Sequence, residues 1–175
     1  MTSAQAKNWE DVKSYSLDTD DELELLNAQI ECTLIWSGKE GWPMGVIVNF
    51  IYRDGTFWLT ASEERPRIAS IRKDPRVSIA VTSKGSSVKE RRSITYKCNA
   101  IVHNDREVLD RILPEFANAM RPGEPDKAEA FRAMLDSPER VVLELIPATR
   151  IGFDSAKMWK ASEGARPSDS PSGSH

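Results

Sequence analysis

Two cysteines, two histidines and no long apolar run set the first limits on this chain of 175 residues. Cys32 and Cys98 each stand alone among apolar neighbours, so there is neither a disulfide framework nor a CxxC metal pair. The plain reading is two reduced core thiols. Histidine occurs only at 103 and 175, too few for a zinc site built on clustered imidazoles. No apolar stretch approaches the roughly 20 residues that span a bilayer, and Met1 to Trp9 lacks the charged-then-apolar layout of a secretory leader. A cytoplasmic protein without a membrane partner is expected. An excess of positive charge is missing too: 24 basic against 27 acidic side chains give −3, which argues against nucleic acid as the main partner. GxSxG, GxGxxG, a Walker loop and a cysteine paired with histidine are all absent. No catalytic side chain is signposted.

What is present fits one soluble globular domain, with 39% hydrophobic and 29% charged residues. The expected organisation is an N-terminal extension over 1–17, one domain over 18–160 and a disordered tail over 161–175. The tail holds five serines, two prolines and two glycines in fifteen residues. Within the domain, five acids between Asp18 and Glu24 lead into Leu23, Leu26 and Ile30, the pattern of an amphipathic helix capped by Asp18. Cys32 to Trp36 and Trp42 to Tyr52 read as a hairpin, and Asp54-Gly55 turns into a strand over Phe57 to Ala61. Pro66 can open a short helix over Arg65 to Lys73 that Asp74-Pro75 stops. A strand at Val77 to Val81 and a basic loop follow. Then Ile94, Tyr96, Cys98, Ala100 and Val102 alternate as a half-buried strand. Asp105 caps a helix through Val108, Leu109, Ile112 and Phe116 that Pro114 should break or kink; a second helical piece, Asp126 to Leu135, groups Phe131, Met134 and Leu135. Val141 to Ile146 is a strand that Pro147 should end, with a further short one at Arg150 to Phe153. Six or seven strands and three or four helices, without regular strand-helix alternation, predict a mainly β, α+β chain: an antiparallel barrel with peripheral helices.

The unusual segment is Thr60-Ala61-Ser62-Glu63-Glu64-Arg65-Pro66-Arg67. It sets hydroxyls and two arginines at a helix start, where cations oppose the helix dipole unless an anion is present. Helix amides, hydroxyls and guanidinium forks suit a terminal phosphate. The alternative is that Glu63 and Glu64 pair with these arginines on a solvated surface.

Gly41-Trp42-Pro43, the strand to Tyr52, Asp54-Gly55, the Thr60 to Arg67 segment and Arg67-Ile68-Ala69-Ser70-Ile71-Arg72-Lys73-Asp74-Pro75-Arg76-Val77-Ser78 together resemble the pyridoxamine 5'-phosphate oxidase-like flavin-binding split barrels. The resemblance covers roughly Glu22 to Lys157. It implies a six-stranded split β-barrel that forms a homodimer, with flavin sites at the subunit interface and a small conjugated molecule as substrate. It further implies FMN as cofactor, with the deazaflavin coenzyme F-420 as the alternative, in an oxidoreductase or in a non-catalytic flavin carrier or sensor. Matched by position, Thr60 and Ser62 supply strand-end hydroxyls, Arg65 and Arg67 hold the phosphate, and Val46, Val48 and Asn49 run along the ring. Two departures stand out: Arg67 replaces the family's usual lysine, and Asn99 stands where a glycine is common, a position able to take a positive φ or a bulge. Trp36, Trp42, Trp58 and Trp159 read as core or interface packing or as ring-stacking surfaces. The loop with Lys84, Lys89, Arg91 and Arg92 reads as a solvated turn or as a clamp for a polyanionic cofactor tail.

Overall fold

A computed structural model of the chain describes residues 12–163. A 3-10 turn at Val12–Tyr15 precedes α1 (Thr19–Ala28), β1 (Glu31–Ser37), β2 (Pro43–Asn49), β3 (Ile51–Arg53), β4 (Thr56–Ser62), α2 (Pro66–Lys73), β5 (Arg76–Thr82) and β6 (Arg92–His103). Then come α3 (Arg106–Met120), α4 (Pro125–Leu135), β7 (Arg140–Asp154) and α5 (Ser155–Glu163). The seven strands form one antiparallel sheet in the order β2-β1-β5-β6-β7-β4-β3.

The two ends of that order, β2 and β3, are separated in the chain only by Phe50. The sheet therefore curls until its edges meet at this residue, and a strand expected to be continuous from Trp42 to Tyr52 serves both edges. Counted as one bent strand, β2 and β3 reduce the total from seven to the expected six. Asp54 and Gly55, both at positive φ, give the β3–β4 hairpin its tight turn.

Alternation sorts the side chains. On β6, Ile94, Tyr96, Cys98 and Ala100 point inward and join Phe57, Leu59 and Ala61 of β4 in the barrel core. Trp58, on the other face of β4, belongs to a second core with Ile51 and Val142 beneath Leu109, Ile112, Leu113 and Phe116 of α3. Helix α2 plugs one end of the barrel with Ile68 and Ile71.

Several sequence expectations need correction. Pro114 does not break α3, because six buried residues along the helix outweigh the missing backbone donor. Pro147 does not end its strand: Cys98 pairs with Pro147 and Lys97 with Thr149, so Ala148 is the extra residue of a bulge and β7 runs on to Asp154. The bulge spares Asn99, which pairs regularly with Arg76 and Ile146; the one described non-glycine residue at positive φ is Asp54. In α1 the buried residues are Leu25 and Leu26, while Leu23 and Ile30 are exposed, and Asp18 caps without a side-chain hydrogen bond. Met134 of α4 is exposed, leaving Ala128 and Leu135 as its buried contacts. The described end of the N-terminal extension is docked: Tyr15 and Leu17 are buried, and a Cβ on Gly152 would come within 3.4 Å of Leu17. The expected tail lies, beyond Glu163, outside the described residues. Among the described residues no helix is long and apolar enough to cross a membrane.

Candidate functional site

At Phe50, β2 and β4 separate. Carrying the β3–β4 register two steps further would set Asn49 opposite Thr60, but β2 turns away to pair with β1 while still running close to β4. The result is a wedge. One arm is the edge strand β2, from Asn49 at the vertex to Met44; the other is the end of β4, with Thr60 and Ser62, continuing into α2. At the open end Arg67 lines a pocket of about 300 Å³ with Trp36, Trp42, Met44 and Pro66.

Thr60 and Ser62 project from the outward face of β4, and Ser62 stands opposite Arg140 at the start of β7. The Arg140 guanidinium donates to the Leu135 carbonyl (2.6 Å) and, through Nη1, to Thr60 Oγ1 (3.4 Å), while that hydroxyl donates to the Val141 carbonyl (3.2 Å). Arg65 caps α2 from an extended conformation, and no acid occupies the first turn of that helix.

The carboxylates that could have neutralised this group do not. Glu63 is held by Arg72 through two hydrogen bonds of 3.0 and 2.8 Å, which lower its pKa. Among the described residues no carboxylate forms an ion pair with Arg65, Arg67 or Arg140. Half-burial, and then the charge of Arg65, lower the pKa of both Arg67 and Arg140. We call Arg65, Arg67 and Arg140, with Thr60, Ser62 and the N-terminus of α2, the arginine cradle; guanidinium forks and helix amides are donors that suit an anion. The donor set fits a phosphate.

Of the residues expected at the site, Thr60 and Ser62 lie at the end of β4 beside Arg140, and Arg65 and Arg67 lie at the start of α2. The segment Val46, Val48 and Asn49 lies on the opposite arm, β2. Val46 and Val48 turn their side chains against the barrel core, leaving the open edge of β2 to offer backbone groups. Asn49 is exposed, and its Nδ2 donates to the Ile30 carbonyl (3.2 Å). Of the tryptophans, Trp36 and Trp42 line the Arg67 pocket, whereas Trp58 packs under α3 with Arg111 4.8 Å from its ring centroid. Arg140 was not singled out in the sequence. Its one signal is a lone cation opening an apolar strand; its position opposite Ser62 is a matter of register, 78 residues away in the chain.

The fold is a curled antiparallel barrel, split between β2 and β4, with three arginines beside the split. The family model for pyridoxamine 5'-phosphate oxidase matches residues 19–150, and the chain belongs to that family. Among solved structures, a conserved hypothetical protein from Mycobacterium tuberculosis shares the fold with a TM-score of 0.71 at 20% identity, over 92% of this chain and 96% of that one. The heme storage protein HutZ from Vibrio cholerae gives 0.62 at 13% identity, over 78% and 94%. A FAD-binding protein from Mesorhizobium loti gives 0.57 at 18%, over 79% and 96%. No curated protein matches the chain.

Proposed function

We propose that this chain is a flavin-dependent oxidoreductase that binds FMN and acts on a small conjugated molecule. The observation that carries the reading is the cradle of Arg65, Arg67 and Arg140, which holds three guanidiniums beside two hydroxyls without a carboxylate counter-ion. These guanidiniums would hold the cofactor phosphate, with Ser62 as a hydroxyl partner and Thr60 positioning Arg140. The open backbone edge of β2 along Val46 to Asn49 would offer hydrogen bonds to the polar rim of the ring system. The flavin, when bound, supplies the hydride chemistry. The protein's part is to fix the phosphate, orient the ring and keep one ring face dry, which is consistent with the absence of an acid-base pair in the cradle.

The working unit we propose is a homodimer, in the cytoplasm. Across five strands, Ile47, Thr33, Ala80, Thr95 and Ile151 form one paired row, with Ile47 and Ile151 each 73% exposed. An uncharged row of this kind, β-branched at all but Ala80, suits a self-complementary face.

A second reading, a flavin carrier or sensor without turnover, is favoured by the same lack of acid-base groups and by the fold's occurrence in a heme storage protein. Coenzyme F-420 would engage the same cradle, since guanidinium forks take phosphomonoesters and phosphodiesters alike.

The test is titration of dialysed protein with FMN and, separately, with the deazaflavin, followed by a screen of donors and acceptors. Tight binding of one cofactor and turnover above the free-cofactor rate support the enzyme; binding without acceleration supports the carrier. Arg67→Ala should weaken cofactor binding by about 1 to 3 kcal/mol, the range for losing a charged hydrogen bond. An unchanged dissociation constant removes Arg67 from the site.

A further inference from the structure

Helix α2 and its arginines precede Arg76, the first residue of β5; the basic loop 83–91 follows Thr82, the last. The strand separates them by about 20 Å at the usual rise per residue. At the loop end lies a concavity of about 690 Å³ to which Lys84, Lys89 and Arg91 contribute one side and Phe153, Met158 and Trp159 another.

The loop is not a loose solvated turn. Buried Gln29 donates through Nε2 to the carbonyls of Thr82 (2.7 Å) and Lys84 (3.0 Å). Ser83 is buried; its hydroxyl donates to the Glu90 carbonyl (2.6 Å) and accepts from the Arg92 amide (3.0 Å), while Val88 is buried beneath the loop. Arg92, 9% exposed, is neutralised by Asp21, Glu24 and Asp154. Lys84, Lys89 and Arg91 form no ion pair among the described residues. Three unneutralised cations therefore project from a fixed backbone in a protein whose overall charge is −3.

The facing wall is fixed as well. Ser155 donates through both its amide (3.0 Å) and its hydroxyl (2.8 Å) to the Arg91 carbonyl, tying α5 to the loop. Asp154 Oδ1 accepts from the Ala156 amide (2.7 Å), and Lys157 Nζ reaches the Ser16 carbonyl (2.8 Å) and Asp18 (2.9 Å). Trp159 keeps 59% of its surface exposed on this anchored helix.

We propose that the basic loop and α5 form a second small-molecule site, for a planar aromatic compound bearing acidic groups: the ring lies against Trp159 and Met158, and the acids meet Lys84, Lys89 and Arg91. Neither half is sufficient alone. Three surface cations hold a simple anion weakly in salt, and an exposed tryptophan holds a neutral ring weakly; together on rigid supports they select molecules with both features.

The probe is naphthalene-1,5-disulfonate, titrated by calorimetry into the full chain at physiological salt, with sulfate and 2-naphthol as controls. The disulfonate should bind at least about tenfold more tightly than either control, the increment of one charged contact added to ring burial. Lys89→Ala with Arg91→Ala should raise its dissociation constant at least about tenfold, and Trp159→Ala about threefold or more, as loss of a charged contact and of a stacking surface require. Circular dichroism checks that these surface variants fold. Arg67→Ala, at the other end of β5, should leave the constant within about twofold, as separate sites do. Equal affinity for sulfate, indifference to Trp159→Ala, or loss on Arg67→Ala with the loop variant unaffected would each overturn the proposal. The flavin reading rests on Arg65, Arg67 and Arg140 and stands or falls by a different titration.

Discussion

Along β3, β4 and the first half of β7, the outward side chains Ile51, Trp58 and Val142 lie under α3. Along β2, β1, β5, β6 and the second half of β7, the corresponding row runs Ile47, Thr33, Ala80, Thr95 and Ile151, and its two end residues are the most exposed isoleucines described. These are outer faces of one continuous sheet, both uncharged along these rows. The difference is that helix α3 covers the first, while among the described residues no helix covers the second, whose end isoleucines are exposed and whose middle residues are half-buried. The first face then contributes to the stability of the single chain, and the second is the face we propose for the dimer. The arginine cradle lies at the boundary: Thr60 and Arg140 come from the covered side, and β2, across the wedge, carries Ile47 on the bare side.

The contrast can be broken most forcefully at the covered face. Ile112, 1% exposed, sits in the α3 core, and Ile112→Ala should lower unfolding free energy by about 2 to 5 kcal/mol, the usual cost of emptying a packed site. Denaturant titration reads this directly, and a loss below about 1 kcal/mol would place α3 outside the stabilising core. On the bare face, Ile47→Lys should leave the circular dichroism spectrum intact and instead raise the dimer dissociation constant at least about tenfold, because each copy would bury an unpaired charge. Sedimentation of wild type and variant as equal-mass monomers would remove the dimer. At the boundary, Arg140→Ala should weaken FMN by about 1 kcal/mol, since Thr60 keeps its bond to Val141 and two guanidiniums remain. No change in FMN affinity would limit Arg140 to holding the Leu135 carbonyl. The smallest effect belongs to the interior. Cys32 and Cys98 have their pKa pushed up to about 12 by burial, so a thiol reagent at pH 8 should label neither until denaturant is added. Rapid labelling of the native chain would mean that the barrel opens.

Strands and helices with a single strong period were legible from the sequence. The β6 alternation, the Asp54-Gly55 turn and the Pro66 helix start lie where local physics puts them. Misreadings came where tertiary packing decides. Pro114 and Pro147 look like stops, but α3 is held by its buried face and β7 absorbs its proline at a bulge. The fate of residues 42–52 was hidden for another reason: a strand that serves both edges of a curled sheet has the same local pattern as one that serves one edge. Arg65 and Arg67 stood out in the sequence because cations at a helix start are locally anomalous, and the structure places both at the start of α2. Arg140 did not stand out, because only the β4–β7 register brings it to Ser62. Val46 and Val48 lie on β2 with their side chains turned inward, so the contact we propose there falls to the backbone edge.

In the function we propose, the arginine cradle recognises a flavin through its phosphate. Its most direct test compares FMN with riboflavin, which has the same ring and no phosphate, on the wild-type protein and on Arg67→Ala. FMN should bind wild type at least about tenfold more tightly than riboflavin, and the substitution should remove most of that advantage while leaving riboflavin affinity unchanged. Equal affinities for FMN and riboflavin on the wild-type chain would contradict the account.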